Sequence, residues 1–271
     1  MYKLGWFSTG RGAGSRGLLT TVHDAIKSGE INAEIDVVVC GRELGEAEGS
    51  DQFIALVGSY SIPLITFSYQ KFREARATPR AGDEDFFPEW RLEYDREIMR
   101  RIQGSKPDLC ILAGYMLIVG PEMCRKYNML NLHPAAPRGP KGTWQEVIWQ
   151  LIDQKADESG VMMHLVTPDL DRGPVVTYCT FPLRGGLFDG GWREIEGRDV
   201  SEIKEKDGEE NALFKLIRAE GVKRELPLVV TTIKAFSEGR VKVVNGRVFD
   251  AAGREVKGYN LTEEIEARVK K

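Results

Sequence analysis

The sequence predicts an α/β fold with a mostly parallel, Rossmann-like central sheet, helices on both faces of the sheet and a C-terminal β-hairpin. Three observations lead to this fold. Short apolar runs rich in β-branched residues alternate with segments of helical spacing, as in βαβ units. The run 35–40 is apolar almost throughout, which is typical of an interior parallel strand covered on both faces. Near the end of the chain, Asn245-Gly246 separates two short strand-like runs, a pattern that predicts a tight hairpin turn.

In the first half of the chain, strand-like runs alternate with helical segments. The run 2–8 leads into a glycine loop and then into helical spacing, so the opening reads as a βαβ unit. Residues 76–88 are rich in charge, proline and glycine, which indicates an exposed loop. The predicted strands cover residues 2–8, 35–40, 62–67, 109–114 and 129–133, and the predicted helices cover residues 18–26, 52–60, 94–103 and 121–127.

The second half of the chain is less regular. Three prolines and two glycines make 134–142 a loop, after which Thr143 can cap a helix over 144–153. The runs 159–166 and 175–183 read as a hairpin-like pair of strands. Residues 185–210 are polar and rich in glycine, which indicates a surface excursion. A long helix over 212–236, interrupted or kinked at Pro227, and a hairpin over 241–249 complete the chain.

The composition indicates an ordinary globular protein. The 271 residues carry a net charge of −3, so bulk charge gives no reason to expect binding to nucleic acid or to a membrane surface. No run approaches ~20 apolar residues, and the N-terminus lacks the pattern of a signal peptide. The four widely spaced cysteines form no CxxC pair and read as small buried hydrophobes in a reducing compartment. We therefore expect a cytoplasmic protein without a metal site.

The glycine loop lies between the first strand and the first helix. Gly12, Gly14 and Gly17 match the spacing GxGxxG, which binds a dinucleotide pyrophosphate in this context. The same glycines suit a single phosphate at a helix N-terminus, or a tight turn without a ligand. Arg11 and Arg16 favour an anionic ligand. Glu43, the candidate acid for a ribose, lies beyond the second strand.

Asn131 and His133 form the strongest candidate for a catalytic site. Strand periodicity points both side chains to the same side, and ligands of open parallel sheets collect beyond the carboxyl ends of strands. An amide can bind an oxyanion, an imidazole can exchange protons, and a carboxylate can hold the imidazole in one tautomer. Asp171, in a later loop, can supply that carboxylate. His164 reads as a core group or a support for the site, and His23 as a surface or packing residue.

These motifs together carry a resemblance to a known family. The sequence Asn131-x-His133-Pro134, the later run from Val161 to Pro174 that includes His164 and Asp171, and the opening glycine loop resemble the 10-formyltetrahydrofolate-dependent formyltransferases. The runs 94–97 and 112–116 and the tail also look like that family. The resemblance implies the formyltransferase fold and transfer of a formyl group from 10-formyltetrahydrofolate, as co-substrate, to the amine of glycinamide ribonucleotide in purine biosynthesis.

The resemblance also assigns roles to residues. Asn131 and His133 would bind the formyl oxygen while the amine attacks, and Asp171 would orient His133 and help to relay the amine proton through water. The folate would contact Tyr115, Met116, Leu117, Ile118, Val119, Thr167 and Asp169. The phosphate of the acceptor would contact Gly10, Arg11, Gly12, Ala13, Gly14 and Ser15. The resemblance implies no metal and small-molecule substrates, and it leaves a homodimer open.

The same resemblance implies a single formyltransferase-like domain over 1–271, with three parts. Residues 1–130 would be a phosphate-binding half, 131–240 a catalytic and folate half, and 241–271 a hairpin and tail. Leu117 stands where the family usually has Arg. Near Pro227, where family members commonly place a Glu-His pair, the candidate replacements are Glu220, Lys223 and Arg224.

Four alternative functions remain open from the sequence. The protein can transfer the formyl group to another amine, such as an amino sugar nucleotide, or it can hydrolyse 10-formyltetrahydrofolate. It can be an NAD(P)-dependent oxidoreductase that uses Gly12, Gly14 and Gly17. It can also be a folate or nucleotide sensor without catalytic activity.

Overall fold

The computed structural model describes residues 1–76, 88–169 and 172–270, and these form two compact units. The first unit contains residues 1–131 and 165–173, and the second contains residues 132–164 and 174–271. The predicted loop over 76–88 lies almost wholly outside the described residues. Whether the chain acts as the single domain with the predicted halves stays a prediction.

The first unit consists of parallel strands that alternate with helices. Its strands are β1 (Tyr2–Ser8), β2 (Ala33–Cys40), β3 (Leu64–Thr66), β4 (Leu109–Leu112) and β5 (Met129–His133), the last of which continues into the second unit. Its helices are α1 (Ala13–Lys27), α2 (Glu48–Ser59), α3 (Tyr69–Arg76), α4 (Glu89–Arg101) and α5 (Pro121–Lys126).

The five strands of the first unit lie in the order β5-β4-β1-β2-β3, and every pair among them is parallel. Their carboxyl ends therefore share one edge of the sheet, where the loops after β1 and β4 emerge. One face of the sheet packs against α4 and α5 through a buried cluster that includes Phe7, Leu112, Tyr94 and Ile98. The predicted mostly parallel sheet is confirmed.

The second unit has a mixed arrangement of strands. In it, β7 (Val175–Pro182) pairs antiparallel with β6 (Glu158–Leu165) and parallel with β10 (Tyr259–Asn260), so the predicted pairing of the two longer strands is confirmed. Strands β8 (Val241–Val244) and β9 (Arg247–Asp250) form the predicted C-terminal hairpin. Its turn residues, Asn245 and Gly246, have φ angles of 51° and 74°, as a tight primed turn requires.

The helices of the second unit cover its core. They are α6 (Trp144–Asp153), α7 (Phe188–Glu194), α8 (Val200–Lys206), α9 (Ala212–Ser237) and α10 (Thr262–Val269). Thr143 caps α6 in a capping box with Glu146, as its sequence position predicts. Pro227 lies inside α9.

The prediction that residues 185–210 form a surface excursion is wrong in one respect, because part of this stretch is helical and buried. Two helices, α7 and α8, form there, and their region buries Phe188, Ile195 and Ile203 in the same cluster as Leu213 of α9. The buried apolar residues are seven or eight positions apart within a polar stretch, so a helical stripe is too sparse to be recognised from the sequence.

None of the helices in the described ranges combines the length and apolar character needed to cross a bilayer. All four cysteines are free thiols, and all except Cys124 are buried. Burial raises the pKa of Cys40 to about 11 and that of Cys110 to about 12, so these thiols behave as packing groups.

Candidate active site

Strand β5 carries the two side chains that the sequence singled out. Asn131 is half-buried, and His133 is 2% exposed. Two positions apart on one strand, they point to the same side. Asn131 is paired in register with Leu112, the last residue of β4. The amide is therefore held at the carboxyl edge of the parallel sheet, where the sequence placed it.

The imidazole of His133 has a defined orientation. Its Nε2 lies 3.0 Å from the carbonyl oxygen of Pro140, in the loop that follows β5. Because a carbonyl oxygen only accepts hydrogen bonds, Nε2 carries a hydrogen in this contact. The ring of His164 lies edge-on at 6.1 Å between centroids. His164 is 3% exposed, which agrees with its interpretation as a buried supporting group.

Pro140 is a contact that sequence reasoning missed. The run of prolines and glycines over 134–142 predicted a loop, but no residue type in it indicates which carbonyl turns toward His133. Backbone acceptors carry no sequence signal of their own, since every residue has one.

Asp171 lies outside the described residues, so its predicted role in orienting His133 stays a prediction. The chain beside it is held firmly. The N–H of Val166 donates to the carbonyl of Met129 (2.8 Å), which places the start of this loop next to β5. A Cβ on Gly173 would lie 1.6 Å from the carbonyl oxygen of Leu165, so the loop returns to its starting strand at a distance that only glycine permits.

The glycine loop after β1 is folded by a chain of hydrogen bonds. The N–H of Gly10 donates to Oγ of Ser8 (2.9 Å), and the hydroxyl of Ser8 donates to the carbonyl of Ala113 (2.7 Å). Gly10 has a φ of +67°, and a Cβ there would lie 2.7 Å from that of Phe53. This position requires glycine for both its backbone angle and its surroundings.

Helix α1 begins directly after this loop. Gly12 is its N-cap residue, no side chain caps the helix, and its first turn contains no acidic residue. The first N–H groups of this 15-residue helix are therefore left for an anion, together with the positive end of the helix dipole. Ser15, in the first turn, is largely buried and its hydroxyl lies close to Gly114.

The charged residues near the glycine loop are used in different ways. Arg16 donates from Nη1 to the carbonyl of Gly49 (3.1 Å) and so braces the loop, whereas Arg11 is exposed. Glu43 accepts hydrogen bonds from the N–H of Ser68 (3.2 Å) and from Nζ of Lys71 (2.8 Å). Its carboxylate thus holds β3 and α3 in place and is not offered to a ribose.

The predicted folate segment continues from β4 as an irregular stretch up to α5. Tyr115 and Val119 are buried, Leu117 and Ile118 are partly buried, and Met116 is 69% exposed. Tyr115 packs edge-on against Phe7 at 5.7 Å, and burial raises the pKa of its hydroxyl. Within the described ranges, the backbone N–H and C=O groups of Tyr115, Met116 and Leu117 make no hydrogen bond.

Two further residues of the predicted folate site lie in the loop after β6. The hydroxyl of Thr167 donates to the carbonyl of Asp169 (3.0 Å), and Asp169 is exposed. This contact shapes the loop locally and leaves the carboxylate of Asp169 at the surface.

The glycine loop and the folate segment are joined directly. Thr9 donates to the carbonyl of Gly114 from both its N–H (3.0 Å) and its hydroxyl (2.8 Å). Gly114 itself has a φ of +72°. A helix end without a side-chain cap and a stretch of unpaired backbone are therefore adjacent at one edge of the sheet.

The candidate replacements on α9 interact with one another. Arg224, which is 6% exposed, donates to Glu220 (Nη1 to Oε2, 2.9 Å) and to Glu266 of α10 (Nε to Oε1, 2.6 Å). Lys223 also donates to Glu220 (2.5 Å). Burial opposes ionisation of Glu220, but these hydrogen bonds outweigh it and lower the pKa of its carboxyl. The cluster fastens α10 to α9.

Among the described residues, no group of three or more His, Cys, Asp and Glu side chains is arranged to hold a metal ion.

Comparison with known proteins assigns the family. The model of the formyl transferase family matches residues 12–183, which is more than half of the chain. Phosphoribosylglycinamide formyltransferase from Escherichia coli is 35% identical over 98 residues, or 35% of this chain and 45% of that enzyme. The enzyme of the same name from Haemophilus influenzae is 27% identical over 167 residues, which cover 61% of this chain and 68% of that one.

Solved structures agree in fold. Phosphoribosylglycinamide formyltransferase from Coxiella burnetii superposes with a TM-score of 0.64 at 20% identity, over 96% of this chain and 98% of that one. At this level of identity the likeness concerns the fold alone. The family match, which covers more than half of the chain, shows that the chain belongs to the formyl transferase family.

Proposed function

We propose that this protein transfers a formyl group from 10-formyltetrahydrofolate to the amine of glycinamide ribonucleotide. The observation that supports this most directly is the contact between Thr9 and Gly114. It joins a loop suited to a phosphate to a segment with unpaired backbone groups, and such a pair of sites suits a phosphorylated acceptor beside a folate. Relatives that carry the name phosphoribosylglycinamide formyltransferase support the same reaction.

The chemistry has two steps. The acceptor amine attacks the formyl carbon, a C–N bond forms, and the carbonyl electrons move onto oxygen. The intermediate then collapses, the bond to N10 of the folate breaks, the amine loses a proton and N10 gains one. In the proposal, an N–H of the Asn131 amide donates to the oxyanion, which is the charge that develops in the transition state.

His133 would accept and donate the protons that move in the reaction. Its imidazole would accept the proton of the attacking amine, directly or through water. The protonated ring can then donate to the oxyanion or to the leaving nitrogen. We keep for Asp171 the role of orienting His133 and relaying the proton through water.

The identity of the acceptor depends on contacts outside the glycine loop. Glu220 and Arg224 are hydrogen-bonded within their own cluster, so α9 offers a ribonucleotide fewer groups than the family resemblance implies. This favours testing a second acceptor class, an amino sugar nucleotide, beside glycinamide ribonucleotide.

An acceptor screen tests the proposal. Purified protein is incubated with 10-formyl-dideazafolate and with glycinamide ribonucleotide, an amino sugar nucleotide or water alone, and release of dideazafolate is followed by absorbance. We expect turnover only with glycinamide ribonucleotide, with the formyl group found on its amine by mass spectrometry. Turnover with the amino sugar nucleotide, or equal release in water, would replace the acceptor or change the reaction to hydrolysis. Folate binding without any turnover would indicate a sensor.

A further inference from the structure

The backbone between β4 and α5 requires external support. Residues 113–120 form neither helix nor strand, so no regular ladder holds them. The contacts of Thr9 and Ser8 hold the first end, at Ala113 and Gly114. The second end, from Leu117 to Gly120, is the part that leads into α5. Two charged side chains of α4 hold it.

Arg91 and Asp95 contact two backbone groups of this second end. Nε of Arg91 donates to the carbonyl of Ile118 (2.8 Å), and the N–H of Gly120 donates to Oδ2 of Asp95 (2.7 Å). Arg91 is 4% exposed and Asp95 is 1% exposed. One helix thus holds an acceptor and a donor of the segment, two residues apart, from within the core.

The two side chains also form an ion pair one helical turn apart. Nη2 of Arg91 lies 2.7 Å from Oδ1 of Asp95, although its N–H bonds are poorly aligned with that oxygen, so the contact is mainly one of charge. Burial raises the pKa of Asp95, which the charge of Arg91 and the N–H of Gly120 oppose. Since desolvation makes a buried ion pair a poor source of stability, its use here requires another explanation.

Gly120 shows how closely the segment approaches the pair. A Cβ on this residue would lie 2.9 Å from Oδ2 of Asp95 and 2.8 Å from Cδ2 of Leu92. Its φ of −73° suits any residue, so only the close approach to α4 requires glycine here. The backbone is therefore fixed against α4, while Met116, on the same segment, is exposed.

We propose that Arg91 and Asp95 are positioning residues: they fix the backbone of 117–120 and thereby hold the N–H and C=O groups of 115–117 where they meet the edge of the bound folate ring. The inference rests on the proposed function, because it takes the ring to lie on this segment. A preformed row of backbone groups avoids the entropic cost of ordering the loop on binding. The buried charges would thus strengthen binding of the folate and have little effect on binding of the acceptor.

The variant Arg91→Lys tests this inference. It keeps a positive charge beside Asp95, so the fold is retained, but it removes Nε and with it the hydrogen bond to Ile118. Asp95→Asn is the second variant, which keeps an oxygen for the N–H of Gly120. The control is Arg96→Gln, because Arg96 also links α4 to α5 through an ion pair with Glu122 but is exposed.

Two measurements are made on each folded variant: the Kd for 10-formyl-dideazafolate, and amide hydrogen exchange of the peptide that covers 115–120. We expect Arg91→Lys to weaken folate binding about tenfold, as loss of one hydrogen bond from a charged donor does, and to accelerate exchange in this peptide. The KM for the acceptor should change less than twofold. Asp95→Asn, which keeps the acceptor for Gly120, should show smaller changes in folate Kd and in exchange than Arg91→Lys. Arg96→Gln should match the wild type in both measurements.

The possible failures are distinguishable. Unchanged exchange at 115–120 in Arg91→Lys would overturn the positioning role, whatever the ligand. Faster exchange with an unchanged folate Kd would overturn the link between position and affinity. If the wild type fails to bind 10-formyl-dideazafolate, the proposed function fails, and with it the assignment of the ring to this segment, while the exchange data still decide whether the pair holds the backbone.

Discussion

At the scale of single residues, the candidate catalytic side chains are easier to predict than the groups that support them. Asn131 and His133 stand out because a strand brings two polar groups to one side after an apolar run. The groups that hold the site do not stand out. Pro140 acts through a carbonyl, and Arg91 reads from the sequence as one more charged residue on a polar helix. Burial decides their roles, and burial depends on tertiary packing.

Replacing His133 tests the residue-scale chemistry. We expect His133→Ala to lower kcat by about 10²–10⁴, the usual loss for a proton-transfer group, because the amine proton then has no acceptor side chain and the leaving nitrogen has no donor. The folate Kd should stay within a few fold. The measurement is steady-state kinetics with 10-formyl-dideazafolate as donor. His23→Ala is the matched control, since His23 lies on α1 and stacks on Tyr60. A kcat within threefold of wild type in His133→Ala would contradict the assignment.

At the scale of elements, the glycine loop was predictable because its geometry depends on residue type. Gly10 requires a positive φ and space beside Phe53, and both requirements exclude other residues. The absence of a capping side chain at α1 also follows from the sequence, since Gly12 occupies the N-cap. By contrast, α10 contains a single buried residue, Ile265, and so has no apolar stripe that sequence periodicity can detect.

Gly10→Ala should damage the acceptor site selectively. The added Cβ meets Phe53 at 2.7 Å and the backbone is strained at positive φ, so the loop and the first turn of α1 shift. We expect the acceptor KM to rise at least tenfold while the folate Kd is unchanged. Gly29→Ala is the control, because Gly29 has a φ of +77° with no atom within 4 Å of the added Cβ. Equal effects of the two variants on KM would mean that strain alone, and not the loop, is responsible.

The cluster between α9 and α10 yields a stability prediction. Arg224→Met leaves the carboxylates of Glu220 and Glu266 without their shared partner, so we expect a loss of about 3 kcal/mol in the free energy of unfolding. Urea unfolding followed by circular dichroism measures it. Lys215→Met, which removes an exposed ion pair near the start of α9, should cost less than about 1 kcal/mol. Similar losses in the two variants would show that the buried cluster contributes no more to the free energy of unfolding than an exposed ion pair does.

The same cluster sets a pH dependence. The folded-state pKa of Glu220 is below its ordinary value of 4.5, so its contribution is present above pH 4.5 and is lost as the pH falls through the lowered pKa. Glu220→Gln should therefore be less stable than the wild type at pH 7, and the difference should shrink below about pH 4. A difference that grows on acidification would reverse the sign assigned to this group.

At the scale of the whole molecule, the family match ends at residue 183, and the helices α7 to α10 follow it. The βαβ order, the carboxyl edge and the glycine loop come from the first unit, where apolar runs and glycines mark each element. The packing of the later helices depends on scattered apolar residues such as Phe188 and Ile203. Their role in the core is apparent only from the folded structure, where they lie in one cluster. Sequence therefore predicts the first unit better than it predicts the helices that follow residue 183.

Ligand-induced stabilisation tests the assignment of two separate ligand sites. A ligand that binds only the folded state adds about 2.7 kcal/mol at 100 times its Kd, which corresponds to a rise of about 5 °C in Tm for a chain of this size. We expect 10-formyl-dideazafolate and glycinamide ribonucleotide each to produce such a rise, measured by differential scanning fluorimetry. In Gly10→Ala the shift with the ribonucleotide should be lost while the folate shift is kept. In Arg91→Lys the ribonucleotide shift should be kept, while the folate shift should fall to about half, as a tenfold weaker Kd requires. NADH should produce no shift. A shift with NADH and none with the folate would return the glycine loop to the role of a dinucleotide site, because the N-terminus of α1, which no side chain caps, suits either anion.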